Sequence, residues 1–298
     1  MLKPPCPPRA LTAPTMLLII LLLVTGCSGV RVVYNTADFL IEHYADDYLS
    51  LDSAQMSSWA PTLDAALDRH REQELPYLAA FFDSAMRDAR KGFRRADVDC
   101  LWKQFEVVYK RHFQLAAETA APLLASLSRD QITSLEREFA KEARKDATDD
   151  DPASVARRER KRAERYEDNM RWWIGDLSDD QRRIVADVTR SMPDTAGAWY
   201  DYRNHKREQL IALLRRGADA DRIERFLTDW LVDYNDMPAS LKSARPELRR
   251  RFGDLIVRLD ASFSSEQRDQ LIRRLTKLRD DFKALQRKRP AQVAPVGC

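Results

Sequence analysis

Apolar residues recur along this chain with the period of an α-helix and almost nowhere with the period of a strand. The last run is the clearest. Leu271, Leu275, Leu278, Phe282 and Leu285 step by four and three residues, with Arg, Lys and Asp between them. A helix gathers such positions into one seam. Leu248, Phe252, Leu255 and Leu259 step the same way, as do Ala163, Tyr166, Met170 and Trp173, and Ile223, Phe226, Trp230 and Tyr234. Shorter stripes run through Ile132, Leu135 and Phe139 and through Leu101, Phe105, Val108, His112 and Ala116. Val30-Arg-Val-Val-Tyr34 is the one candidate strand. The pattern predicts an all-α fold, a multi-helix bundle of about nine or ten antiparallel helices.

Breaks are legible too. Asp149-Asp-Asp-Pro152 reads as a helix start, with acids at the positive helix end and Pro in the first turn. Met192-Pro193 and Gly217 read as helix ends. Pro61, Pro76 and Pro122 should start or kink helices. No linker rich in Gly, Ser or Pro divides the interior, so residues 30–288 read as a single helical domain and residues 289–298 as a loose tail.

One short motif appears four times: Leu51-Asp-Ser-Ala-Gln55, Leu127-Ser-Arg-Asp-Gln131, Leu177-Ser-Asp-Asp-Gln181 and Phe263-Ser-Ser-Glu-Gln267. It has the form of a capping box. The oxygen of Asp52, Ser128, Ser178 or Ser264 accepts a first-turn N–H, and Gln55, Gln131, Gln181 or Gln267 reaches back to the cap's own N–H. Each cap is worth about 1 kcal/mol. The unequal spacing of the four copies rules out a solenoid repeat.

The first thirty residues carry an address. Lys3 and Arg9 form a positive lead, followed by the apolar run Met16–Val24. Those nine residues span about 14 Å as a helix, against a hydrocarbon core of about 30 Å. The run is a leader rather than a membrane span. Val24-Thr25-Gly26-Cys27 resembles the lipobox of bacterial lipoproteins. That resemblance implies a signal peptide over 1–26, cleavage between Gly26 and Cys27, and a lipidated N-terminus at 27–29. Cys27 would carry diacylglyceryl on sulfur and a palmitate-type chain on the new amine, enough to anchor stably. Ser28 stands where an Asp would resemble an inner-membrane retention signal. The expected location is therefore the outer membrane, lipid-anchored, on the periplasmic face. Cys6 leaves with the leader, so Cys100 and Cys298 are left either to pair in an oxidising compartment or to stay apart. A bridge across so long a loop would contribute at most about 5 kcal/mol.

Two further resemblances bear on function. The capping pentapeptide is similar to the L-T-x-x-Q signature of Spy- and CpxP-type periplasmic chaperones, though Ser or Asp replaces Thr. Val30–Asn35, Tyr44–Leu49 and Leu51–Gln55 resemble the opening of an uncharacterised proteobacterial outer-membrane lipoprotein family. Arg162–Arg165, Trp172–Gln181, Trp199–Arg207 and Gln267–Leu285 resemble its second half. That family implies an address and a helical fold but supplies no activity.

The residues of ordinary catalysis are missing from the pattern. His43, His70, His112 and His205 fall in no metal-binding spacing and read as surface or core histidines. With 8 Gly in 298 residues and no phosphate-cradling or nucleophile-elbow motif, no catalytic residue, cofactor or metal is expected. Asp46-Asp47 and Asp149–Asp151 lack calcium-loop spacing and read as solvated helix ends. The net charge of +3 supplies no field for nucleic acid. Arg157–Arg165 is the densest basic run. It could meet lipid or lipopolysaccharide phosphate, but interleaved Glu159, Glu164, Glu167 and Asp168 favour a solvated helix face. Trp172-Trp173, Trp199 with Tyr200 and Tyr202, and Trp230 with Tyr234 read as core first and as an aromatic groove second. The expectation is a non-catalytic binding, scaffold or chaperone-like module of the cell envelope, its partner an envelope protein or peptide. The alternatives are an envelope hydrolase acting on peptidoglycan or lipid, and a lipid- or lipopolysaccharide-handling protein. A cleft of convergent acids would mark the hydrolase; an apolar cavity rimmed by Arg would mark the lipid handler.

Overall fold

A polar cap followed by an apolar stripe starts one helix after another in the computed structural model, which describes residues 29–149, 155–286 and 293. The helices are α1 (Gly29–Asn35), α2 (Ala37–Leu49), α3 (Ser53–Arg69), α4 (Leu75–Lys91), α5 (Arg95–Ala125) and α6 (Arg129–Asp149). They continue as α7 (Val155–Ile174), α8 (Asp179–Arg190), α9 (Ala196–Arg215), α10 (Ala220–Thr228), α11 (Ala239–Asp260) and α12 (Ser265–Leu285). A π-helical turn, His70–Glu74, joins α3 to α4, and a second, Asp229–Asp233, extends α10. Taken as continuous rods these are eleven helices among the described residues, close to the nine or ten expected and without a strand.

Val30–Tyr34 is helix, not strand, which corrects the sequence reading. Arg31 pairs with the buried Asp281 of α12 at 2.6 Å, and the Tyr34 hydroxyl lies 2.5 Å from His70 Nδ1. Residues three apart share a helix face but sit on opposite faces of a strand, so only the helix serves both contacts. Asp149 is the last residue of α6 rather than part of a helix start; α7 begins at Val155, and residues 150–154 lie outside the described residues. Pro61 and Pro122 lie inside α3 and α5, whereas Pro76 occupies the first turn of α4. Gly217, at φ +67°, follows the end of α9 as expected.

The four capping boxes form, and the structure joins them in pairs. Gln55 and Gln131 exchange reciprocal amide hydrogen bonds of 3.0 and 2.6 Å. Gln181 and Gln267 do the same at 2.7 and 2.9 Å. The remaining bonds match position by position. Gln55 Nε2 donates to the Ser126 carbonyl and Gln181 Nε2 to that of Ser262, each two residues before the partner's cap. Gln131 Nε2 donates to the Ser50 carbonyl and Gln267 Nε2 to that of Asp176, again two residues before the cap. Packing repeats along with these clasps. The helix before the first box of each pair lies on the helix that the second box starts, α2 on α6 and α7 on α12. Likewise α3 lies on α5, and α8 on α11. The unit that repeats is thus a clasped pair, not a single box.

The buried apolar residues form several clusters. The largest joins α3, α5, α6, α9 and α10 through residues such as Trp59, Ala121, Leu135, Leu210 and Ile223. Leu127 and Ile132 lie in it together, as a hydrophobic staple requires. A second gathers Ala85, Ala89, Ile174, Leu271 and Leu275, where α12 runs along α4. A third packs Val185, Val188, Leu255 and Leu259 beneath Tyr166, Met170 and Leu248.

Candidate functional site

The apolar stripes of α4, α5, α7, α11 and α12 converge without closing. They leave a cavity of about 530 Å³ lined by seventeen residues, none of them polar. Eight are aromatic, among them Phe81, Trp102, Phe105, Trp173 and Phe252. Large flat rings that meet edge-on or tilted leave space that branched aliphatic side chains would fill. Trp102 meets Phe252 at 5.8 Å and Phe105 at 6.3 Å, both tilted. Phe105, read from the sequence as part of a core stripe, is 46% exposed and marks the mouth. The stripe predicts an inward-facing ring, but among the described residues Phe81, Trp102 and Tyr109 cover Phe105 only in part.

The end of the cavity near Phe93 and Phe263 is built by one buried acid. Gly92 takes φ +85°, a conformation glycine adopts freely, and turns the chain from α4 into α5. The Asp260 carboxylate accepts the next N–H, that of Phe93, at 3.0 Å and pairs with Arg268 at 2.9 Å. Arg268 lies over the Phe263 ring and Arg249 over that of Trp102. The apolar wall therefore has guanidinium groups against its outer rings.

A second concavity, of about 450 Å³, lies where α7 and α11 meet the α8–α9 turn and the first turns of α9. Arg158, Lys161, Arg162, Arg165 and Arg203 line it, with Asp194 the one carboxylate among the described residues, and Tyr166 and Trp199 on its walls. Arg162 donates to the carbonyls of Thr189 and Met192 and pairs with Asp194, which Arg158 also meets, at 3.0 Å. Burial would raise the Asp194 carboxyl, but the Ala196 N–H and the Arg158 and Arg162 guanidiniums hold it below the usual range. The basic run Arg157–Arg165, expected to be a solvated face, thus turns part of itself inward onto a pocket.

The π-turn brings together two histidines that sequence distance kept apart. The rings of His70 and His112 meet edge-on at 4.8 Å. His112 Nδ1–H donates to the Val108 carbonyl at 2.6 Å, while its buried Nε2 has no hydrogen-bond partner. Desolvation, with the neighbouring His112 and Arg71, pulls His70 down to about 4. Desolvation likewise raises the Tyr34 hydroxyl to about 12. Beside them the buried Glu74 forms a two-pronged pair with Arg111 at 2.6 and 2.7 Å. No group of three His, Cys, Asp or Glu placed to hold a metal ion occurs among the described residues. The pairing had no sequence signal, since forty-two positions separate the two residues.

The expected caps, Asp52, Gln55, Ser128, Gln131, Ser178, Gln181, Ser264 and Gln267, are all engaged in capping boxes and clasps. Their amides are committed to the protein's own backbone, so the resemblance to the chaperone signature supplies no free binding group here. Cys100 is disulfide-bonded. Gly26, Cys27, Cys6, Cys298, the apolar leader and most of the tail lie outside the described residues. Among the described residues no helix is long and apolar enough to cross a membrane. Around Trp199 and Trp230 the aromatics pack on the buried Tyr202, Met237 and Leu241, as the core reading expected, and Trp199 also reaches the basic pocket. The real cavity takes Trp173 from the expected aromatics and its other rings from α4, α5, α11 and the turns holding Phe93 and Phe263.

Compared with known families, residues 47–240 match a family of unknown function, DUF6279. The chain belongs to this family. The match covers more than half of the sequence and spans the first glutamine clasp, the basic pocket's α7 and α9 residues, and the α4 and α5 walls of the aromatic cavity. No curated protein and no solved structure matches the chain.

Proposed function

We propose that this member of the family is a non-catalytic binding module, held by lipid on Cys27 at the periplasmic face of the outer membrane, which takes a lipid acyl chain into its aromatic cavity. The cavity is the observation that carries the reading. Its volume falls within the range of about 300–1,000 Å³ typical of ligand sites. Its all-apolar wall favours an acyl chain over a peptide, because a peptide backbone buried there would leave its N–H and C=O groups unsatisfied. The anchor reading rests on Val24-Thr-Gly-Cys27. Arg31, four positions after Cys27 in the sequence, pairs with Asp281 of α12, so a lipid on Cys27 would tether the helical body close to its membrane.

The test uses protein secreted without residues 1–27 and a fluorescent fatty acid. Saturable binding is expected, with Phe105→Asp weakening it by about tenfold or more, since a carboxylate at the mouth must be desolvated beside the chain. Absence of binding, together with suppressed aggregation of an unfolded client, would replace the lipid reading with a chaperone. Cys27→Ala should release the full chain from outer-membrane fractions; retention through a high-salt wash would refute the lipid anchor.

A further inference from the structure

The basic pocket and the aromatic cavity share two walls. On α7, Tyr166 lines the first and Met170, Trp173 and Ile174 line the second. On α11, Leu248 lines the first, and Phe252 and Ile256 line the second. One helical turn separates the two sites on each helix. The floor between them is apolar, since Tyr166, Met170 and Leu248 pack on Val188, Met192 and Leu255. From Arg162 to Trp173 the rise along α7 is about 16 Å. The pair of sites therefore has the polarity of an amphiphile, with a cationic end and an apolar end.

From this geometry we infer that the basic pocket is the headgroup subsite of that acyl ligand and reads a phosphate, so that the ligand is a phosphate-bearing lipid. The inference rests on the acyl-chain reading of the cavity. Among the described residues five cationic side chains and one carboxylate line the pocket, a basic excess that favours a dianionic group over a neutral or zwitterionic one. Four of the five are arginines, whose planar forks match phosphate oxygens two at a time. Arg158 and Arg162 are fixed by Asp194 and by the α8–α9 turn, which places their charge before a ligand arrives. Lys161 and Arg165 are exposed at the rim, where a headgroup would enter. Trp199 and Tyr166 give the pocket flat apolar walls against which the glycerol or sugar of a headgroup can lie.

The full lipidated chain, reconstituted in phosphatidylcholine vesicles, tests this. One preparation contains a small fraction of phosphatidic acid with a diazirine in its acyl chain, and the other the same fraction of diazirine phosphatidylcholine. After irradiation, mass spectrometry locates the labelled residues. The expected result is labelling of Met170, Trp173 or Phe252 by the phosphatidic acid, at roughly ten times the level given by phosphatidylcholine, the ratio of a 1.4 kcal/mol preference. Lys161→Glu with Arg165→Glu, two exposed positions, should abolish that preference while circular dichroism shows the variant still helical, and Arg203→Gln should weaken it. Equal labelling by the two lipids overturns the headgroup inference and leaves the acyl-chain reading standing. Labelling of the cavity by neither overturns both. If inorganic pyrophosphate protects Lys161 from acetylation while neither lipid labels the cavity, the pocket serves a free phosphate compound and the lipid assignment fails.

Discussion

Gln181 shows how one side chain can hold two helix starts at once. Its side-chain carbonyl accepts the N–H of Ser178 at 3.0 Å, and its amide donates to Ser262 O and Gln267 Oε1 at 3.1 and 2.7 Å. Only 2% of it is exposed, so water cannot replace these partners. Gln181→Ala should therefore lower the unfolding free energy by about 2–3 kcal/mol, a lost cap plus stranded buried acceptors. Gln55→Ala, at the more exposed clasp, should cost less, and urea unfolding of both variants reads the difference. His70 makes a pH prediction. Its folded value of about 4 lies below the ordinary 6.5, so the unfolded chain binds the proton more readily. The stability this contributes is complete above about pH 6.5 and is lost as pH falls towards 4, to an extent on the order of 3 kcal/mol. Urea midpoints between pH 7 and 4 should drop accordingly, and the drop should shrink in His70→Gln. Below that window Asp194 and Asp236, both held under the usual carboxylate range, lose their stabilisation in turn. The capping half of this chemistry was legible from the residues, because a box is local. The clasp was not, because glutamines 76 or 86 positions apart meet only once the helices have packed.

At the scale of elements, the junction between α4 and α5 depends on Gly92. A Cβ there would strain a backbone at φ +85° and come within 3.2 Å of Asp260 Oδ2, the atom that accepts the Phe93 N–H. Gly92→Ala should cost about 1–3 kcal/mol and disturb Phe93 at the cavity's end. Chemical unfolding measures the first effect; acyl-probe affinity measures the second. Helix positions were readable because each seam repeats within a few residues. The strand assignment at Val30–Tyr34 failed because β-branched residues state only a local preference, which the contacts of Arg31 with Asp281 and of Tyr34 with His70 outweigh. The π-turn left no trace in the pattern, since one inserted position in a helix resembles a change of phase between two ordinary stripes.

At the scale of the whole molecule, Cys100 is disulfide-bonded. If the anchor occupies Cys27 and the leader is removed, Cys298 is the partner that is left. Intact-mass measurement of the mature protein under non-reducing conditions should then find no free thiol, and Cys298→Ser should leave Cys100 open to alkylation. A Cys298→Ser protein in which Cys100 still resists alkylation would point to another partner. The aromatic cavity also belongs to this scale. Five helices far apart in sequence and the turns at Phe93 and Phe263 give it its wall, and no one of these segments announces the cavity alone.

The sequence by itself determined the helices, their polar caps and their breaks, because these depend on interactions within a few residues of each other. It also proposed the leader and the lipidated cysteine from a contiguous stretch. Tertiary structure alone decided which caps clasp, which histidines meet, that Phe105 is covered only in part, and that half of a basic run lines a pocket. Those outcomes depend on how helix faces meet across long separations. An amphipathic stripe specifies that a face must be buried, but it does not specify what lies opposite or whether the two faces close.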